Sequence, residues 1–214
     1  MEQALIGLAG VLIGSLVSYW LLTQYQERKE TERHHSLCVS ALYLLISRCS
    51  NLVNFSNHYL TEDNSDIQDR FKGFVIYDYK MRDKIDFSSL AFLADKHDSN
   101  FLYDLTLAES TYFNFLNAYD TRNSDLERAI SKAGDKTGLG EIFSEGELKL
   151  FIYNTESMVD FSKRSLESSE KAMNQLAAII ERRFPGLPHP KPTIDKTKNL
   201  QPSAAPDAQK AARP

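Results

Sequence analysis

The chain has 214 residues, 42% of them apolar and 25% charged, with a formal net charge of −4 at neutral pH. That length holds one domain of ordinary size plus appendages, and that composition suits a chain that packs a core. The mild acidity argues against a dedicated nucleic-acid binder, which usually shows a strongly basic face, so no nucleic acid is expected among its partners.

Charges and helix breakers are unevenly spread. Residues 1–184 carry 20 Lys+Arg against 27 Asp+Glu, whereas residues 185–214 carry 5 against 2. All seven prolines lie at or after Pro185, and Gly73 is the sole glycine or proline between Gly14 and Gly134. Proline breaks helix interiors and glycine weakens them. A run this free of both, with little strict alternation, predicts an all-α fold.

The first element spans residues 1–25. Ala4 to Thr23 carries no formal charge, and twenty residues at about 1.5 Å rise cover roughly the 30 Å hydrocarbon core of a bilayer. A secretory signal would open on basic residues and close on a small-residue cleavage site. This segment opens on Glu2 and closes on an aromatic stretch, with Tyr19, Trp20 and Tyr25 placed where rings favour the headgroup zone. A core helix is more often shorter and interrupted by charge. The expectation is a single transmembrane helix with the lipid bilayer as its first partner. Arg28, Lys29 and Arg33 follow the span and no Lys or Arg precedes it. The positive-inside rule then puts the N-terminus outside and the C-terminus in the cytoplasm, at a bacterial inner membrane.

Within the span, Gly10, Gly14 and Ser18 recur every four residues, and Gly7 lies a heptad before Gly14. These share a helix face on which a second backbone can approach closely, the expected site of self-association and of a homodimer. Glycine is also simply common in membrane helices.

Residues 26–184 read as a cytoplasmic helical domain. The span runs on without a break toward Thr61, with the stripe Cys38, Leu42, Leu45, Cys49, Leu52, Phe55 and Tyr59, and Ala41 and Leu44 alongside. In a cytoplasmic setting both cysteines are expected to be buried thiols. Eleven residues along one helix separate them by about 16 Å, too far for a disulfide. Residues 66–87 mix aromatic and charged residues at no clean period and read as a short helix and an irregular crossover. Ser88 to Ala94 reads as another short helix. Ser99 is the expected cap of a long helix to about Ser131, with the stripe Leu102, Leu105, Ala108, Tyr112, Phe115, Leu116, Tyr119, Leu126 and Ile130. The last helix opens at Ser144 and Glu147, which have capping-box spacing. Its expected seam is Leu148, Ile152, Thr155, Val159, Ser162, Leu166, Ser169, Met173, Leu176 and Ile180, and Phe184-Pro185-Gly186 stops it. Three long helices on short connections imply an antiparallel, coiled-coil-like bundle.

The run LAFLADKHDSNFLYDLTLAESTYFNFLNAYDTRN, with Leu90, Phe92, Leu93, Leu102, Leu105, Ala108, Glu109, Tyr112, Leu116, Arg122 and Asn123, resembles a loose pattern of bacterial single-span membrane-anchored helical proteins that carry no assigned activity. The resemblance covers about a sixth of the chain. It implies architecture alone, one N-terminal span followed by a cytoplasmic helical domain.

Residues 185–214 hold every proline and few large apolar side chains, so they are expected to form a disordered tail.

Phosphate-cradling glycine loops, HExxH, CxxC and GxSxG are all missing from the sequence. No catalytic residue, cofactor or metal is therefore expected. Glu32 and His35 have the Glu-x-x-His spacing of di-iron bundles, but those sites need a second copy and two further carboxylates. His34 and Cys38 lie one turn apart, and two ligands do not make a site. Arg48 and Glu109 each sit on an apolar stripe. They are expected either to pair across the first and second long helices, as a structural pair, or to snorkel separately to solvent. The functional expectation is a membrane-anchored interaction or scaffold module. The alternative is a membrane-acting effector of phage defence or a toxic response that oligomerises in the bilayer.

Overall fold

The computed structural model describes residues 2–59, 83–95, 98–133 and 142–192, with side chains described from Val11 onward except at 58, 59, 99 and 133. Among these residues the structure is helical: α1 (Glu2–Tyr59), a short 3-10 helix (Ser88–Leu93), α2 (Ser99–Ala133) and α3 (Glu145–Arg183), with no strand.

α1 is one unbroken helix of 58 residues, as expected where no proline interrupts the i to i−4 ladder. Its environment changes along its length. Large apolar side chains from Val11 to Tyr25 are exposed on every face, Val11 at 70% and Trp20 at 60%. By length and composition this helix can cross a membrane. From Gln24 to Arg33 every side chain is also exposed, a polar stretch about 15 Å long carrying the Arg28–Glu32 pair at 3.0 Å. Burial begins at His34 and is complete at Cys38. Cys38, Ala41, Leu42, Leu45, Cys49, Leu52 and Phe55 are all buried, the 3.6-residue periodicity of a core-facing stripe. Each leucine so buried contributes about 1.5–3 kcal/mol.

The paired residues fix the helix directions. Asp104 of α2 binds Lys171 and Gln175 of α3 at 2.9 and 2.8 Å. Further along, the Thr111 and Ser168 hydroxyls are 2.7 Å apart, and Asn154 donates to Asp125 at 3.0 Å. α2 and α3 are therefore antiparallel. α1 is antiparallel to α3 too, since His35 meets the Phe184 ring at 5.5 Å while Phe55 shares a cluster with Met158. Relative to α2, however, α1 is parallel: Arg48 reaches Glu109, and Phe55 stacks edge-on with Phe115 at 5.1 Å. The expectation of short connections throughout is thereby corrected. Residues 60–98 form a long link between the end of α1 and the start of α2, at the level of His34 and Phe184. Much of the crossover read from the sequence, residues 66–82, lies outside the described residues.

The described end of that link, residues 83–93, is a strap wedged among the helices. Ile85, Leu90 and Leu93 are buried in one cluster with Cys38, Leu42 and Leu45 of α1, Phe101 and Leu105 of α2, and Leu176 and Ile180 of α3. Asp86 starts the 3-10 helix by accepting the Ser88 N–H at 3.0 Å. The Ser88 side chain, with the backbone N–H groups of Ser88 and Ser89, holds the Asp86 carboxyl below the usual carboxylate range. At its far end Phe92 stacks on His34, with centroids 3.9 Å apart.

Several side chains differ from their expected places by one position. In α2, Phe101 and Ala129 are buried, while Leu102 is partly exposed and Ile130 is 52% exposed. In α3 the deepest line is Phe151, Thr155, Met158, Ser162, Ser165, Ser169, Ala172 and Leu176, a heptad seam with alternating three- and four-residue steps. Leu148, Ile152, Val159 and Leu166 flank it, partly buried. The seam is shifted toward small residues because α3 packs against both α1 and α2, so its inner line must leave room for two neighbours.

Both ends of α3 follow local rules. The Glu147 carboxylate accepts the backbone N–H of Ser144 at 3.0 Å and its hydroxyl at 2.7 Å, within a capping box. At the other end the Leu187 N–H returns to the Phe184 carbonyl at 3.1 Å across Pro185 and Gly186, whose φ is +84°. Proline then glycine at the two central positions is the type II pattern, in which the second needs positive φ. This turn lays Leu187 against the core and brings His189 to 3.6 Å from Glu181. The chain expected to be a disordered tail from Pro185 therefore folds back on the domain as far as His189, and the residues beyond 192 lie outside the described ones.

Candidate functional site

The sequence-predicted pair is assembled. Arg48 is 1% exposed and forms a salt bridge with Glu109 through its Nη1. Its Nη2 donates to the Asp83 carbonyl at 2.6 Å, and the second Glu109 oxygen accepts the Ile85 N–H at 3.2 Å. The guanidinium also lies 4.6 Å from the Tyr112 ring centroid, a cation–π contact. Burial pushes the Tyr112 phenol up against the opposing pull of Arg48. Neither charged group snorkels. Together they neutralise each other and hold the strap backbone at two points. Such a cluster fixes geometry, with both Glu109 oxygens and both Arg48 Nη atoms bonded to protein groups.

A second charged cluster joins the strap to the end of α3. Asp98 is 3% exposed and binds Arg182 and, at 2.7 Å, the Nε of Arg183, which also binds Asp95. These four residues line an open cleft of about 350 Å3. Beside it, the Cys38 thiol is pushed up to about 12 by burial, with Arg183 opposing. Both cysteines are buried and in no disulfide.

A third buried charge escaped the sequence reading. Arg122 is 0% exposed, donates to the Asn123 side chain at 2.9 Å and lies 4.9 Å over the Phe151 ring. Its signal was present: three residues after Tyr119 and four before Leu126, it occupies a stripe position. Asp98 gave no such signal, because its partners are 84 and 85 residues away in sequence.

The other sequence candidates stay apart. Gly7, Gly10, Gly14 and Ser18 all lie in the continuous helix α1. Ser18 is exposed, and a Cβ added at Gly14 would meet nothing within 4 Å. Glu32 is paired with Arg28, and His34 lies 3.9 Å from Glu30. Among the described residues no group of three or more His, Cys, Asp or Glu side chains converges as a metal site would require.

Between α2 and α3 runs a groove of about 330 Å3. Asn114, Asn117, Ala118 and Thr121 form its α2 wall, and Tyr153, Asn154, Ser157 and Phe161 its α3 wall. None of these carries a charge.

No known protein family, curated protein or solved structure matches the chain.

Proposed function

We propose that this protein is a membrane-anchored interaction or scaffold module. Residues 1–25 cross the bacterial cytoplasmic membrane with the N-terminus outside, and residues 26–184 form a cytoplasmic helical bundle with its C-terminal tail on the same side. The observation that carries this reading is the change of surroundings along α1. The same continuous helix is apolar and exposed on all faces from Val11 to Tyr25, then polar and exposed, then striped and buried from Cys38. An exposed apolar surface of that size needs a partner, and lipid is the partner that fits a twenty-residue cylinder without charge. A binding role is favoured over catalysis: Arg48 and Arg122 are engaged by protein groups, and Asp98, which lines the open cleft, is itself held by Arg182 and Arg183.

Cell fractionation tests the anchor. The intact chain is expected in the membrane pellet after an alkaline carbonate wash and in solution after detergent. A reporter enzyme fused after Phe184 is expected to be active in its cytoplasmic form. Recovery of the chain in the aqueous supernatant without detergent overturns the reading.

A further inference from the structure

We propose that the strap is the built-in occupant of a peptide-binding groove between α1 and α2, and that an extended aliphatic segment of a partner protein takes its place there. This deepens the interaction-module reading by naming the chemistry of the partner, and it rests on that reading for the partner's existence.

The occupant shows what the groove reads. Residues 83–86 lie outside any helix, and the Arg48–Glu109 pair holds them by main-chain groups. Arg48 donates to the Asp83 carbonyl at 2.6 Å, and Glu109 accepts the Ile85 N–H at 3.2 Å. A carbonyl and the amide two residues on are the groups that an extended chain turns together toward a neighbouring strand. The ion pair thus stands in for a strand edge, and such bonds form with an extended chain of any sequence. Selectivity comes from the side chains that enter the core. Ile85, Leu90 and Leu93 are buried in one cluster with Leu42 and Leu45 of α1, Phe101 and Leu105 of α2, and Ile180 of α3. A partner segment therefore needs an aliphatic residue at the Ile85 position and two more at the Leu90 and Leu93 positions.

Three features suit exchange. The outward side chains of the strap, Asp83, Lys84, Asp86, Ser88, Ala91 and Ala94, are all exposed. The strap therefore lies on the outside of the three helices and can lift without any of them moving. Its own structure is a six-residue 3-10 helix, whose hydrogen bonds are poorer than those of an α-helix, and segments of this kind open locally before a core does. The clamp itself is the third feature. A buried ion pair carries a desolvation cost that apolar residues of similar volume avoid, and reading a main chain is what Arg48 and Glu109 add over two leucines. Just beyond the strap, Asp98 is tied to Arg182 and Arg183 of α3, which leaves a fixed pivot at that end.

The full chain in lipid nanodiscs tests this, with a fluorescein-labelled peptide of sequence DKIDFSSLAFLA, residues 83–94, as the probe. In the native chain, hydrogen exchange is expected to be about tenfold faster or more at the Ile85 and Leu90 amides than at those of Leu45, Leu105 and Leu176. Ile85→Ser with Leu90→Ser loosens the resident strap, and that chain is expected to bind the peptide about tenfold more tightly than the native chain does. The same peptide N-methylated at Ile85 lacks the amide that Glu109 accepts, and its affinity for the loosened chain is expected to fall about tenfold or more. The proposal is overturned if the strap amides of the native chain exchange no faster than the helix amides, or if the N-methylated peptide binds as well as the unmodified one. Two differently tagged chains that co-purify and part on adding the peptide would give the groove to the strap of a second copy, and overturn the assignment to a partner protein. The same measurements run in detergent, so a chain that fails fractionation leaves the groove standing. An anchored chain whose strap stays shut leaves the anchor and removes the groove.

Discussion

Arg48 and Glu109 lie 61 residues apart in sequence and meet inside the fold, where each also grips the backbone of a third segment. Arg48 takes the carbonyl of Asp83 and Glu109 takes the amide of Ile85. The ion pair thus joins α1, α2 and the strap at one point, and the strap's apolar residues follow from there into the core.

Removing one partner leaves the other charge buried without its counterion. Arg48→Met is expected to destabilise the domain by about 3–5 kcal/mol, whereas Arg48→Met combined with Glu109→Leu costs less than Arg48→Met alone. Urea unfolding of the detergent-solubilised chain, followed by far-UV circular dichroism, reads both.

The Cys38 thiol gives a window at high pH. Its folded value of about 12 stands above the ordinary thiol value of 9.0 because burial disfavours the thiolate. A raised value means full stability below pH 9 and progressive loss as pH rises toward 12, where the unfolded thiol ionises and the folded one does not. Neither Cys38 nor Cys49 is expected to react with iodoacetamide at pH 8 until the domain unfolds, and mass spectrometry of the alkylated peptides checks this.

Asp104 works in the opposite direction. The hydrogen bonds from Lys171 and Gln175 hold its carboxyl below the usual carboxylate range. A depressed value contributes stability that is complete above about pH 4 and lost as pH falls through the folded value. Asp104→Asn is expected to flatten the decline of stability below pH 4 while lowering stability at pH 7, as measured by thermal unfolding across a pH series.

Ser165 and Ser169 lie at 0% exposure on the seam of α3, and their hydroxyls have no hydrogen-bonding partner among the described residues. A buried hydroxyl without a partner costs free energy that an alanine does not. Ser169→Ala is expected to raise stability by about 1 kcal/mol, and Ser169→Leu to lower it by overpacking the line shared with two neighbours. Denaturant midpoints of the two variants separate these effects.

Local signals carried most of the helical layout. The stripe from Cys38 to Phe55, the capping residues Ser144 and Glu147 and the Phe184-Pro185-Gly186 stop each rest on contacts within a few residues, so periodicity and turn chemistry expose them. The Arg48–Glu109 pair was legible as two charges on apolar stripes, although nothing in the sequence showed that both would hold the strap backbone. The parallel course of α1 and α2 was not legible, because it depends on where the chain between them leads. On the seam of α3, Thr155, Ser162, Ser169, Met173, Leu176 and Ile180 are buried as expected, whereas Leu148, Ile152, Val159 and Leu166 flank it and Phe151, Met158, Ser165 and Ala172 take their places. A helix facing two others buries its smallest residues deepest, and that is a property of the assembly.

The continuity of α1 has a mechanical consequence. At about 1.5 Å per residue, its 58 residues make a rod of about 87 Å with no hinge. A change in tilt of about 10°, well within the range of bilayer-spanning helices, swings the far end of that rod sideways by about 15 Å. Rotation of the buried end about its own axis turns the whole domain through the same angle. With the anchor proposed above, lipid thickness and lateral crowding would become positional instructions for the domain.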